Sequence, residues 1–377
     1  MPFGEMRGQW IGRYTGSTEG MIIVNVDEFP SYYEGVAYLV EDQKAYPSTA
    51  AVFRTINKNT DFVFRTNAIL PVDPKTGMTG QWDEIKKNYA PNVTLSQFAD
   101  VHGSCRRDSL VLSWNTDTSR SGACTLPRSR ADEPSEVVPL EMGWEKYKAH
   151  VAGIDQRRYL FRGQNRPWRL RTSFHRTGRA DLVRFLNLDI PLLHRHLSAR
   201  TKHFFNLQDS DQNGAFFNLI QHHGYPTPLL DWSYSPYVAA FFAYRGISDD
   251  DAVSTDPGTK VRILLFDQAQ WKTDWRQLVL VTNAHPHLSF MEFVAVENER
   301  MIPQQAASAL TNIDDVESYV SAKGSQIGKT YLSAIDLPVA ERRQVVRELG
   351  YMGITAGALF PGLDGACEEL KERNFAR

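Results

Sequence analysis

The densest run of reactive side chains lies between Gln221 and Pro236, reading Gln-His-His-Gly-Tyr-Pro-Thr-Pro-Leu-Leu-Asp-Trp-Ser-Tyr-Ser-Pro. It holds two imidazoles, a carboxylate, an indole and several hydroxyls. His222 and His223 are adjacent, so on a helix they point about 100° apart and cannot easily share one ion. No HExxH or CxxC spacing accompanies them, so no metal site is expected. Ser233 and Ser235 lack the G-x-S-x-G elbow of a hydrolase nucleophile. What remains is the chemistry of a polar, aromatic ligand pocket. Tyr225 and Trp232 would offer ring faces, His222 a hydrogen bond, and Asp231 an anchor or an acid. Pro226, Pro228 and Pro236 predict a rigid loop here, neither a regular helix nor a central strand.

Two further clusters carry donors. Arg158 to Gln164 reads as a short apolar strand ending in Arg162-Gly163-Gln164. A strand-end arginine can be a plain surface residue that adds little to the core. It can equally be an anion clamp, a planar fork matched to phosphate or carboxylate, with Gly163 letting a ligand come close. Gln164, Asn165 and Arg166 add donors beside it. The third cluster, Asn298 to Ala306, follows a strand-like Phe293-Val294-Ala295-Val296 and contains Gln304 and Gln305. Gly324 to Thr330 lacks the G-x-x-x-x-G-K-T spacing and is not read as a phosphate loop.

The elements that must position these groups fall into two sets. With 377 residues the chain is too long for one ordinary core. Residues 8 to about 115 give short β-branched and aromatic runs separated by turn residues, which predict an antiparallel barrel or sandwich. Thr116 to Val138 is a polar break, its second half read as a linker. From Met142 helical and strand patterns mix, with helices expected at Trp144–Val151, Phe216–His223, Tyr237–Tyr244 and Val339–Leu349. The fold class is therefore α+β, with a β-rich unit over 1–130 and a mixed unit over 140–377. A net charge of −2 gives no global pull toward nucleic acid or anionic membrane. Cys105, Cys124 and Cys367 are few and scattered, which predicts a reducing compartment. The chain begins without an apolar leader and has no run long enough to span a bilayer, so a cytoplasmic protein without a membrane partner is expected.

Over roughly Met142 to the C-terminus the sequence resembles the FRG domain family, named for its Phe-Arg-Gly triplet. The matching pieces are Tyr159–Gln164, Gln221–Ser233, Arg300–Gln305 and Leu359–Gly365. A weaker resemblance is to the ADP-ribosyltransferase fold, where an Arg-Gly strand, a Ser-bearing strand and a Gln/Glu-x-Glu motif surround NAD. That resemblance implies NAD as substrate and a nucleic acid or protein as acceptor. Arg162 would hold the pyrophosphate, with Gly163, Gln164, His222, Tyr225, Trp232 and Ser235 around the nucleotide. Asp231 and Ser233 would fix the pocket, and Gln304 or Gln305 would orient the acceptor. The Gln-Gln pair departs from the family pattern, since a neutral amide stabilises a developing cation only weakly. Asp231, Glu297 and Glu299 are the carboxylates that could stand in, Asp231 first. A toxin or antiviral role would follow; the alternatives are a nucleotide or nucleic-acid binding module without catalysis, or a structural interaction protein.

Overall fold

Two β-sheets organise the chain in the computed structural model, which describes residues 5–375 apart from 44, 92, 156, 255 and 257. The first sheet is built from β1 (Gly8–Gly16), β2 (Gly20–Glu28), β3 (Tyr33–Glu41), β4 (Thr49–Arg54), β5 (Asp61–Thr66), β6 (Ala68–Pro71), β7 (Ala99–Cys105), β8 (Ser109–Thr116) and β9 (Ser121–Pro127). Their order is β5-β7-β8-β9-β1-β2-β3-β4-β6, antiparallel throughout. Strict alternation drives the pattern: along β9, Gly122, Cys124 and Leu126 are buried and their neighbours exposed. The sheet curls until its ends meet, where Thr66 Oγ1 donates to Val52 O at 2.6 Å. The expected barrel or sandwich is thus a single, nearly closed antiparallel sheet. Tyr14, Val24, Phe53, Leu110 and Leu126 pack inside it. The polar break proved partly structured, because β9 lies within it and joins β8 to β1. After β9 the described residues 128–138 contain only isolated bridges at Arg128 and Pro134.

The second sheet contains β10 (Pro139–Glu141), β11 (Tyr159–Gln164), β12 (Leu229–Ser233), β13 (Lys260–Asp267), β14 (Leu288–Met291), β15 (Ala306–Thr311) and β16 (Leu332–Pro338). The order is β10-β16-β13-β11-β12-β15-β14, mixed because β10 runs parallel to β16. Helices cover both faces. Trp144–Ala152, Pro236–Tyr244 and Arg342–Tyr351 pack with Phe161, Ile263 and Leu265. On the other face Trp271, Val316 and Val320 meet Leu160, Leu230, Trp232 and Leu264. Near-continuous apolar strands such as β13 follow from this double cover.

Polar contacts join the two sheets. Asp27 of β2 accepts hydrogen bonds from Arg179 Nε (2.8 Å), Ala180 N (2.8 Å) and Asp181 N (3.1 Å). Gln9 of β1 donates through Nε2 to Asn312 O at 2.7 Å and accepts from Asp314 N at 2.8 Å.

Candidate functional site

The site begins at a parting in the second sheet. β11 pairs with β13 at six positions and β12 with β15 at five, yet β11 and β12 pair only at Phe161 and Ser233. Beyond that pair the strands splay. Arg162 fills the parting, donating through Nη1 to the main-chain carbonyl of Asp231. Its guanidinium thus supplies a hydrogen bond that the missing ladder would have made. The reading of Arg162 as a surface residue with little structural weight is therefore corrected: its head turns inward and its Nε is shielded from solvent. Burial pushes the guanidinium down to about 10; Asp231 opposes this and Arg176 adds to it.

Gly163 also has a structural cause. A Cβ there would lie 1.9 Å from Ala239 O and 2.5 Å from Ala243 N, so the Pro236–Tyr244 helix rests directly on the glycine. The close approach expected of a ligand is made by a helix backbone. Phe161 packs in the core beneath the same helix.

The Gln221–Pro236 run is not one loop. Gln221 and His222 end the Ser210–His222 helix, Gly224 turns the chain at φ +84°, and Leu229–Ser233 is a central strand between β11 and β15. The prolines misled because Pro226, Pro228 and Pro236 all fall just outside β12. Ser235 caps the following helix, its Oγ accepting from Val238 N at 3.2 Å with Pro236 in the first turn. Along β12 the side chains alternate. Asp231 and Ser233 face one way; Leu230 and Trp232 face the core. Trp232 is 3% exposed and packs edge-on against Phe266 and Phe290, at centroid separations of 5.8 and 6.1 Å. That packing removes the ring face expected for a base or nicotinamide. Tyr225, half-buried, lies beside Phe185 at 6.3 Å.

Asp231 is held by side chains that sequence reasoning did not single out. Its Oδ1 accepts from Gln221 Nε2, and Gln221 Oε1 accepts from Thr227 Oγ1. The third cluster joins through Ser233, whose Oγ donates to Gln304 O at 2.7 Å and accepts from Ser235 N at 2.9 Å. Gln304 is 6% exposed and its Nε2 donates to Leu359 O at 2.9 Å, so it ties in the C-terminal motif and is not free to orient an acceptor. Gln305 is exposed, at φ +46°, with its carbonyl accepting from Tyr234 N at 3.0 Å. His222 Nδ1 bonds Asn298 Oδ1 at 2.8 Å, and Asn298 reaches Asn218, which donates to Ser308 Oγ at 3.1 Å. Arg300 donates to His222 O and lies over the Phe360 ring at 5.4 Å. Asn218, set among Phe216, Phe217 and Leu219, could have been found as a polar residue on an apolar helix face. Phe293–Val296, read as strand-like, follows β14 as irregular chain, and Asn298–Gln305 is a series of turns entering β15. Of the other acids, exposed Glu297 accepts from His203 N, and Glu299 is exposed.

Three polar atoms on the Trp232 side of the parting have no hydrogen-bond partner among the described residues: Arg162 Nε, Gln164 Oε1 and Trp232 Nε1. Arg162 and Gln164 share a face of β11 as i and i+2.

Residues 157–252 match the family model of the FRG domain, a span that includes the Arg162 and Asp231 motifs but not Asn298–Gln305 or Leu359–Gly365. No curated protein and no solved structure matches the chain.

Proposed function

We propose that the second half of the chain binds NAD at the parting of β11 and β12 and cleaves its nicotinamide–ribose bond, as an ADP-ribosyltransferase or NAD glycohydrolase. The observation that carries the reading is the junction itself. A strand bearing Arg162 and a strand bearing Asp231 and Ser233 part after one register pair, and Ser233 holds the Gln304–Gln305 turn beside them. Arg162 Nε has unspent capacity to donate to a phosphate oxygen, and Gln164 Oε1 to accept from a ribose hydroxyl. In the step, the bond between the ribose C1′ and the nicotinamide nitrogen breaks and its electron pair leaves with nicotinamide. A water or an acceptor group on a nucleic acid or protein then bonds C1′ and gives up its proton. The cationic C1′ needs an anion, and Asp231 is the acid whose charge already acts on Arg162. Such an activity suits a cytoplasmic toxin or antiviral effector, with the first sheet selecting the target.

The test is nicotinamide release at saturating NAD together with calorimetric NAD affinity. Asp231→Asn is expected to slow release about 10²-fold while affinity stays within a few-fold. An unchanged rate removes Asp231 as the acid. A second reading, nucleotide binding without turnover, is favoured by one observation: Pro303–Ala306 contains no carboxylate and the Gln304 amide is committed to Leu359. NAD binding with no release from the wild type, whatever the acceptor, selects that reading.

A further inference from the structure

The turn carrying Lys75, just after β6, meets the segment between the Gln268–Asp274 helix and β14, and the seam holds a pocket of about 270 Å³. Hydrogen bonds to the turn's backbone fix its wall. Asn283, buried, donates through Nδ2 to Thr76 O at 2.8 Å, and Ala284 N donates to Gly77 O at 2.9 Å. Lys75, Arg276, His285, His287 and Lys323 line the pocket, and among the described residues no carboxylate does. In a chain of net charge −2 that is a local excess of positive charge. None of Lys75, Arg276 and Lys323 forms an ion pair among the described residues. Lys323 is half-buried, with its ammonium over the rings of Trp275 at 4.4 Å and Tyr319 at 5.8 Å, so two ring faces stand where a counter-ion would. Burial lowers His285, and the charges of Arg276 and Lys323 lower it further. Both imidazoles are held through Nδ1: that of His285 lies 3.2 Å from Asn283 Oδ1, and that of His287 lies 3.2 Å from His285 O. Each partner oxygen can only accept, so Nδ1 carries the proton and Nε2 of the neutral ring is an acceptor. His287 is 2% exposed, and its Nε2 has no hydrogen-bond partner among the described residues. Folded proteins rarely leave such an atom unpaired.

We infer that this pocket binds a phosphate group that keeps a proton, as inorganic phosphate or a small phosphomonoester, with Lys75, Arg276 and Lys323 meeting its charged oxygens and His287 Nε2 accepting from its hydroxyl. The cations call for an anion. The buried acceptor calls for a hydrogen, which sulfate and carboxylate lack near neutral pH, whereas a phosphomonoester loses its last proton only at about pH 6. The pocket falls below the about 300–1,000 Å³ of drug-sized ligand sites, which limits an ester to a short carbon body. No residue of β11 or β12 lines it, so the site is separate from the parting at Arg162. Lys75 belongs to the first half of the chain and the other four residues to the second, so a bound phosphate would also tie the halves together.

Inorganic phosphate, glycerol 3-phosphate and sulfate are the probes, titrated by calorimetry into the full chain without NAD, at low salt and about pH 6. Phosphate or glycerol 3-phosphate is expected to saturate one site, about tenfold or more tighter than sulfate. The tighter of the two names the source, free phosphate or an ester. Lys323→Gln and Arg276→Gln should each weaken that binding about tenfold or more, the worth of one charge-assisted hydrogen bond. Arg276 is exposed, so its variant serves if Lys323→Gln does not fold. Arg162→Lys should leave phosphate affinity within twofold, which separates this site from the NAD reading. No saturation by either phosphate in the wild type overturns the inference. So do sulfate binding as tight as phosphate, an unchanged affinity in Arg276→Gln, and a matching loss in Arg162→Lys.

Discussion

Arg162 shows how a motif can be read correctly as special and wrongly as exposed. Its guanidinium closes the parting by donating to Asp231 O, so it has structural weight whether or not a ligand binds. Arg162→Ala is expected to cost about 1–3 kcal/mol, the penalty for a lost charge-assisted bond and an unpaired carbonyl, in urea unfolding followed by circular dichroism. An unchanged midpoint would return Arg162 to the surface role that its strand-end position implied. Arg162→Lys, with one point charge in place of a fork, should recover part of the stability and, on the proposed reading, little of the NAD affinity. What the sequence offered at this scale was residue identity: Arg162 reaches Asp231 O and Ser233 reaches Gln304 O, while His222 bonds Asn298 and Arg300 instead. What was not legible was which atoms are already spent. Gln304 and Trp232 look like ligand groups in a sequence because their partners, Leu359 and the Phe266–Phe290 pair, are set by tertiary packing.

Elements were easier to read than their pairing. β-branched alternation located most strands of the first sheet, and the helix expected at Tyr237–Tyr244 is found at Pro236–Tyr244, its start fixed by the local chemistry of the Ser235 cap. β12 was missed because flanking prolines mimic a loop, and β9 because its outward residues are polar and its inward ones small. The third residue of the Phe-Arg-Gly triplet is an element-scale feature: Gly163 is the seat of the Pro236–Tyr244 helix. Gly163→Ala must push that helix off the sheet, and a loss of about 3 kcal/mol or more is expected in the same unfolding assay. Acid sensitivity belongs to this scale too. Burial holds His175 and His287 down at about 4, against 6.5 in the unfolded chain. Both stay neutral in the fold while the unfolded state takes up protons, so stability present above pH 6.5 is lost as pH falls toward 4. Asp181, raised by burial to about 6, works in the opposite direction over part of that window. The two histidines outweigh it, and stability should fall by on the order of a few kcal/mol between pH 6.5 and 4. His175→Gln should flatten the profile; an identical slope in that variant would assign the acid loss elsewhere.

At the scale of the molecule, the two sheets are joined by directional polar bonds as well as by apolar packing. Asp27 satisfies two backbone N–H groups and Arg179 at once. Asp27→Ala leaves all three donors without that carboxylate, and a cost of about 3–5 kcal/mol is expected. Calorimetry should then resolve one wild-type transition into two; a single unsplit transition in the variant would mean that apolar contacts carry the coupling. Gln9 makes the same junction in a way that also sets an order in time. Its partners at Asn312 and Asp314 lie 303 and 305 residues further along the chain. At a synthesis rate of about 5–20 residues per second, roughly 15–60 s separate the emergence of Gln9 from that of its partners. β16, which pairs with β13 across the sheet that carries Arg162, is made later still. The first sheet can therefore close on the ribosome while the Arg162 site waits for the last strand.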